Sequence, residues 1–160
     1  MSISETGVGC LAPDFTLPGT DQDGTVQPWH LSDYRGRIVA LVFYPKDETP
    51  VCTKQMCSMR DRWQDYQQTG AEVVAISIGS IPSHQQFAAN HHFPQKLLAD
   101  EQGEVTRLYK LRSLLGGSQR AVIVIDANGI IRFRRAVLPF LRPSDADVIA
   151  AIQQAMSAQD

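Results

Sequence analysis

Ile38-Val39-Ala40-Leu41-Val42-Phe43 is an apolar run with no polar break. A strand that shows one face to water alternates apolar and polar residues, so an unbroken run this short belongs to a strand covered on both faces. Val73-Val74-Ala75-Ile76-Ser77-Ile78 and Ala121-Val122-Ile123-Val124-Ile125 repeat the feature. Three such strands require a layered α/β arrangement with helices on both sides of one sheet.

The rest of the chain supplies those layers. Pro13 to His30 is rich in Pro, Gly, Asp and Thr, with an alternating piece at Asp14-Phe15-Thr16-Leu17 and a turn signal at Asp23-Gly24. It reads as an irregular N-terminal hairpin. Leu31 to Gly36 reads as a short helical turn with Ser32 as its cap. Cys52 to Thr69 is expected to be one helix, with Met56, Met59, Trp63 and Tyr66 on one face and Gly70 as its stop. Ser83 is expected to cap a helix that runs to about His91. Lys96 to Ala99 reads as a short strand and Glu104 to Tyr109 as a short helix. Asp126-Ala127-Asn128-Gly129 joins the third apolar run to Ile130-Ile131-Arg132-Phe133 as a hairpin. Asp145 to Met156 closes the chain as an amphipathic helix. The order is that of a thioredoxin-like α/β fold: a mixed central sheet flanked by helices, with an N-terminal hairpin extension.

The 160 residues fit one domain, expected over 1–160. The net charge of −2 comes without a basic block or acidic tail, which points away from nucleic acid and anionic membranes as partners. Met1 to Cys10 lacks the basic and apolar regions of a secretory signal, and no apolar run approaches a membrane span. An odd count of 3 cysteines does not read as a secreted disulfide framework. A reducing, cytoplasmic setting is expected, where a cysteine pair is more often catalytic than structural.

The first apolar run leads through Tyr44-Pro45-Lys46-Asp47-Glu48-Thr49-Pro50-Val51 to Cys52. A thiol at a strand-to-helix junction meets unpaired backbone N–H groups and the positive end of the helix dipole, which favour the reactive thiolate. The alternative is a buried structural cysteine, a common fate of this residue type. Thr49 is either a turn residue or a hydroxyl directed at the Cys52 sulfur or at a bound oxygen. Pro45 is either a strand terminator or a wall that keeps water from the thiolate.

Cys57 lies five residues beyond Cys52. On an ideal helix that offset rises about 7.5 Å and turns about 140° past one turn, so the Cα atoms are about 8.6 Å apart. A disulfide requires roughly 4.4–6.8 Å. The two cysteines therefore bond only if the first turns of the helix unwind. The alternative for Cys57 is a core thiol on the apolar face. Cys10 is assigned no role.

At these residues the chain resembles the peroxiredoxins. Pro45, Thr49 and Cys52 meet the signature Pro-x-x-x-(Thr/Ser)-x-x-Cys, and the surrounding text with its second cysteine is similar to the bacterioferritin-comigratory, or Q-type, subfamily. Ala12-Pro13-Asp14-Phe15, Leu31-Ser32-Asp33, Arg60-Asp61 and Ile125 to Gly129 extend the likeness over nearly the whole chain. The resemblance implies a thiol-dependent peroxidase for hydrogen peroxide and organic hydroperoxides. It implies Cys52 as the attacking thiol, Cys57 as the resolving thiol, and recycling by thioredoxin or a similar dithiol. It also implies a monomer. No metal, haem or flavin is implied. It gives Arg120, directly before the third apolar run, the task of stabilising the thiolate and the leaving oxygen; without the resemblance Arg120 reads as a solvated strand-end charge.

The chain departs from the subfamily pattern at Val51, where Gly is usual, and in a shorter stretch from Leu111 to Gln119. A branched side chain at Val51 narrows the pocket or stiffens the turn.

The alternative function is a thioredoxin-like protein disulfide oxidoreductase, although Cys-x-x-Cys is absent. A third reading is a redox-responsive binding protein without turnover. His84, His91 and His92 lack metal-ligand spacing, and a surface helix end is the expectation for them. Trp29 and Trp63 read as packing residues, Gly116-Gly117 as a loop, and Arg132, Arg134 and Arg135 as a solvated basic edge.

Overall fold

The computed structural model describes residues 6–114 and 116–157. Met1 to Glu5, and Leu115 in the short loop, lie outside them. The three apolar runs become β3 (Val39–Phe43), β4 (Glu72–Ser77) and β6 (Arg120–Ile125). They lie side by side in a seven-stranded sheet with β1 (Thr16–Thr20), β2 (Val26–His30), β5 (Lys96–Ala99) and β7 (Ile131–Val137), in the order β2-β1-β5-β4-β3-β6-β7. The pairs β3–β4 and β4–β5 are parallel; the remaining pairs are antiparallel. The sheet is therefore mixed, and the hairpin β1–β2 extends it beyond β5, as expected.

Every residue of β3 is buried, and successive residues serve opposite cores. Ala40 and Val42 face a cluster with Cys52, Met56, Met59, Phe87, Val148 and Ile152. Val39, Leu41 and Phe43 face another with Phe15, Trp29, Tyr109 and Leu111. Period-two packing thus operates inside a run that looks uniformly apolar in sequence.

The first of these cores is roofed by α1 (Pro50–Asp61), α3 (Ile81–His91) and α5 (Asp145–Ser157). Asp145 opens α5 and fixes it against the helices before it: it accepts from Tyr66 Oη at 2.5 Å and from the Ser58 hydroxyl. The buried Tyr66 phenol is raised above its ordinary value by that burial and by Asp145, so it remains a donor.

Four local expectations change. The helix begins at Pro50, whose fixed φ and missing N–H suit the first helical position, so Cys52 is its third residue rather than its first. The helix also stops at Arg62 (φ −103°, ψ 14°), and Trp63–Gln68 forms a separate α2 on the same apolar face. Ser32 is inside the 3-10 turn Leu31–Tyr34, which His30 precedes without a side-chain cap. Ser80, not Ser83, caps α3: its hydroxyl accepts from the Ser83 backbone N–H at 3.2 Å. The last helix before β6 is α4 (Glu104–Leu108). Gly129 closes the β6–β7 turn at φ 86°, a conformation that glycine alone adopts freely.

Candidate active site

The backbone leaves β3 at Phe43 and reaches α1 through residues 44–49, at the carboxyl end of a strand flanked by parallel β4 and antiparallel β6. Ligands of open α/β sheets gather at such strand ends. Tyr44 N–H still pairs with the Ile76 carbonyl at 3.0 Å, so the loop starts from a fixed point. Thr49 is the N-cap residue, in extended backbone, and Cys52 is third in the helix, where backbone N–H groups lack intrahelical acceptors. Cys52 is 1% exposed and packs with Tyr44 and Met56 in the core cluster. It is thus both buried, as the structural alternative required, and in the first turn of a helix.

Arg120 is only 2% exposed, which removes the solvated strand-end reading. Its Nη1 donates to Gln55 Oε1 at 2.6 Å and its Nη2 to the Pro139 carbonyl at 3.0 Å. Its Nε–H has no hydrogen-bond partner among the described residues. Among the described residues no carboxylate lies within ion-pair distance of it. Gln55, three residues after Cys52 on α1, is itself buried and ties the guanidinium to the cysteine's helix. A buried cation without a counter-charge is a receptor for an anion or a developing oxyanion.

The Thr49 side chain makes no capping hydrogen bond to α1. Its hydroxyl proton goes to the Lys46 carbonyl at 2.8 Å. That is the bond of a turn residue, and it leaves the oxygen lone pairs as acceptors. Pro45 is half-buried, and its carbonyl is 3.4 Å from the Ser77 hydroxyl, consistent with a wall on this loop.

The loop is pinned by a buried polar network that the sequence reading missed. Asp47 accepts from Tyr44 Oη at 2.6 Å, from Ser83 Oγ at 2.6 Å and from His84 Nδ1 at 2.6 Å, while His84 Nε2 faces the Leu98 carbonyl at 3.1 Å. Burial pushes the Asp47 carboxyl up, but His84, Ser83 and Tyr44 together hold it below its usual value. Burial, then the Asp47 charge, raises the Tyr44 phenol well above its own; Cys52 is near enough to add to that effect. A histidine at 84 and an aspartate at 47 give no sign of pairing in sequence, because neither belongs to a motif by spacing.

Cys57 is half-buried on α1, and no disulfide links the cysteines. With both residues in one intact helix, bonding between Cys52 and Cys57 requires α1 to unwind. His91 is not the simple surface position expected: it stacks on Phe93, ring centroids 5.3 Å apart, and lies 3.8 Å from the Cys57 sulfur. His92 follows as the exposed left-handed cap of α3. Among the described residues no group of three His, Cys, Asp or Glu side chains is placed to hold a metal. The arginines of β7 are separately engaged, Arg132 with Asp126 at 2.6 Å and Arg135 with Asp147 at 3.4 Å. Trp29 packs in the second core and donates to Glu72 at 3.0 Å.

Comparison with known proteins agrees with this geometry. Residues 8–134 match the model of the AhpC/TSA family. The chain is 41% identical over 127 residues to peroxiredoxin Q, chloroplastic, of Triticum aestivum, covering 78% of this chain and 57% of that protein. It is 42% identical over 126 residues to the Sedum lineare protein of the same name, covering 78% and 66%. The chain therefore spans less than two thirds of the length of these relatives. Among solved structures, the mitochondrial 2-Cys peroxiredoxin of Plasmodium falciparum superposes with a TM-score of 0.89 over 96% of both chains at 20% identity. The reduced 2-Cys peroxiredoxin of Plasmodium vivax gives 0.88 over 95% of this chain and 83% of its own, at 22% identity. A strand-end cysteine in the Pro-x-x-x-Thr-x-x-Cys loop, a buried arginine beside its helix and a family match over residues 8–134 lead to one assignment: the chain belongs to the AhpC/TSA family, as a peroxiredoxin of the Q type.

Proposed function

We propose that this chain is a thiol-dependent peroxidase, acting as a single domain and a monomer in a reducing, cytoplasmic compartment. The observation that carries the reading is Arg120: a buried guanidinium with an unpartnered Nε–H, tied through Gln55 to the helix of a buried cysteine. The Cys52 thiolate attacks the nearer oxygen of a hydroperoxide. A sulfur–oxygen bond forms, the O–O bond breaks, and the departing alkoxide or hydroxide is neutralised by a proton. Arg120 compensates the charge on sulfur and on the leaving oxygen. The Thr49 oxygen, its proton committed to Lys46, accepts from the peroxide O–H and so orients it. Pro45 limits water at the loop.

The sulfenic acid then meets Cys57. Cys57 sulfur displaces the hydroxyl of Cys52, giving a disulfide and water. Thioredoxin or a similar dithiol restores both thiols by exchange.

The test is intact-mass spectrometry with peptide mapping after one equivalent of hydrogen peroxide, alongside peroxide consumption. A loss of two hydrogens mapped to Cys52–Cys57 is expected. Cys52→Ser abolishes consumption, and Cys57→Ser leaves a sulfenic acid on Cys52 that thioredoxin does not recycle. Turnover retained by Cys52→Ser would refute the reading.

A further inference from the structure

Three side chains from three segments converge at Cys57. The Cys57 sulfur is 3.8 Å from His91 Nδ1, and His91 Nε2 is 2.9 Å from Glu48 Oε1. Glu48 belongs to the loop before α1, Cys57 to α1 and His91 to the last residue of α3. A carboxylate only accepts, so Nε2 carries the ring proton of a neutral His91. The Nδ1 lone pair then faces the Cys57 thiol. This is the nucleophile–base–orienter arrangement by which side-chain nucleophiles are activated.

The arrangement is held from every side. The His91 ring stacks on Phe93 at 5.3 Å and meets Phe87 edge-on at 5.4 Å. Its carbonyl accepts from Arg60 Nη1 at 2.8 Å. Asn90 Nδ2 donates to the second oxygen of Glu48 at 2.7 Å. Glu48 has φ 61°, a left-handed conformation unfavourable to a residue with a side chain. Such strain persists only where the surroundings impose it. The charged groups facing the pair are Glu48 and, next to it, Asp47 from the loop, and Arg60 from α1. From α3 the neutral Asn90 contributes.

Resting on the peroxidase reading above, we propose that His91 is the catalytic base for the resolving step, with Glu48 as its positioning residue. While α1 is folded, the Cys57 thiol gives its proton to His91 Nδ1. The helix then unwinds and carries a thiolate, the competent nucleophile, toward the Cys52 sulfenic acid. The Cys57–Cys52 S–S bond forms and the S–O bond breaks. Hydroxide leaves and takes a proton from solvent to become water, and His91 returns its proton to solvent, so the net change is loss of one water. Cys57 sulfur is oxidised and the sulfenic sulfur reduced, with both oxidising equivalents drawn from the hydroperoxide.

The experiment is rapid-quench alkylation with intact-mass detection, which follows sulfenic acid and disulfide separately. His91→Ala is expected to slow disulfide closure about 100-fold, the lower end of the range for a general base. His91→Gln slows it comparably, and Glu48→Gln by less. The neighbouring His92→Gln, outside the cluster, keeps the wild-type rate. His91 is 25% exposed in its side chain, so added imidazole enters the space left in His91→Ala and restores part of the rate. Excess peroxide drives more Cys52 to sulfinic acid in His91→Ala than in wild type. Closure at the wild-type rate in both His91 variants would overturn the inference and leave the peroxidase standing. Slow closure that imidazole does not restore would also overturn it, since it would assign His91 to packing alone. Failure of wild-type Cys52 to oxidise would overturn both.

Discussion

A guanidinium shut away from water with an N–H unanswered destabilises the fold that contains it. Arg120 is such a group, and Gln55 and the Pro139 carbonyl satisfy only part of it. Its replacement separates stability from chemistry. Arg120→Met fills similar volume without charge. It is expected to lower the rate constant for Cys52 oxidation about 10²- to 10³-fold, the usual effect of removing one preorganised donor. Its melting temperature should stay level or rise, because the unpaired charge is gone. Stopped-flow oxidation and thermal unfolding measure the two; a clear fall in melting temperature with an unchanged rate would make Arg120 structural. Cys52, Thr49 and Pro45 are legible in the sequence because they share the short segment between an apolar strand and a helix. Arg120 is legible only through the family likeness. Gln55 and His91 are not legible at all. An isolated polar residue in a helix reads as solvent-facing, and their partners lie 65 and 34 residues away.

Helix α1 is the element on which the cycle depends, and its ends differ in character. The first two turns hold Cys52, Gln55 and Met56, all buried, and the Met56 carbonyl is tied to Gln95 Nε2 at 3.0 Å. Unwinding residues 52–57 exposes these groups, so closure of the disulfide is paid by local unfolding of packed structure. Amide hydrogen exchange should show residues 52–57 protected in the reduced protein and unprotected in the disulfide form. Equal protection in both forms would refute the unwinding. Val51 lies inside this turn. Val51→Gly lowers helix propensity and widens the unfolded ensemble, so the opened population and closure rate should rise about two- to threefold. The three central strands were readable to within a residue because each is an apolar run ended by turn chemistry, whereas β7, rich in arginine, runs four residues past the expected Phe133 to Val137. The interruption at Arg62 was not, since no Gly or Pro marks it and the stripe of Met56, Met59, Trp63 and Tyr66 continues across it. The misplaced caps have a similar cause: Ser80 and Ser83 are both competent, and only backbone direction selects Ser80.

The whole molecule couples the site to acid stability. Strand–helix–strand order, the Asn-Gly turn and three apolar runs suffice to foresee a mixed sheet, because connections are short and strands buried on both faces need helices on both sides. What order alone does not give is the set of carboxylates that stitch the layers together. Asp126 is one. It holds the β6–β7 turn by accepting from the Asn128 N–H at 2.9 Å, the Ile130 N–H at 3.0 Å and Arg132 Nε at 2.6 Å. Burial pushes its carboxyl up, but the Ile130 N–H, Arg132 and the Asn128 N–H outweigh that and hold it below its ordinary value. Asp47 in the loop before α1 is lowered too. In each case the unfolded chain binds a proton at higher pH than the folded one does. Stability is therefore complete above the ordinary aspartate value, about 3.9, and falls as the pH drops below it toward the lowered folded values. Asp126→Asn keeps an acceptor for the turn amides but cannot lose a charge. Its melting temperature should be lower than wild type at neutral pH, and the gap should close as the pH falls below the ordinary aspartate value and through the lowered folded one, where wild type sheds the advantage. Thermal unfolding from neutral pH to acid, wild type beside Asp126→Asn, measures the gap; a gap that stays constant through the acid range would show that the Asp126 charge contributes nothing to holding the hairpin.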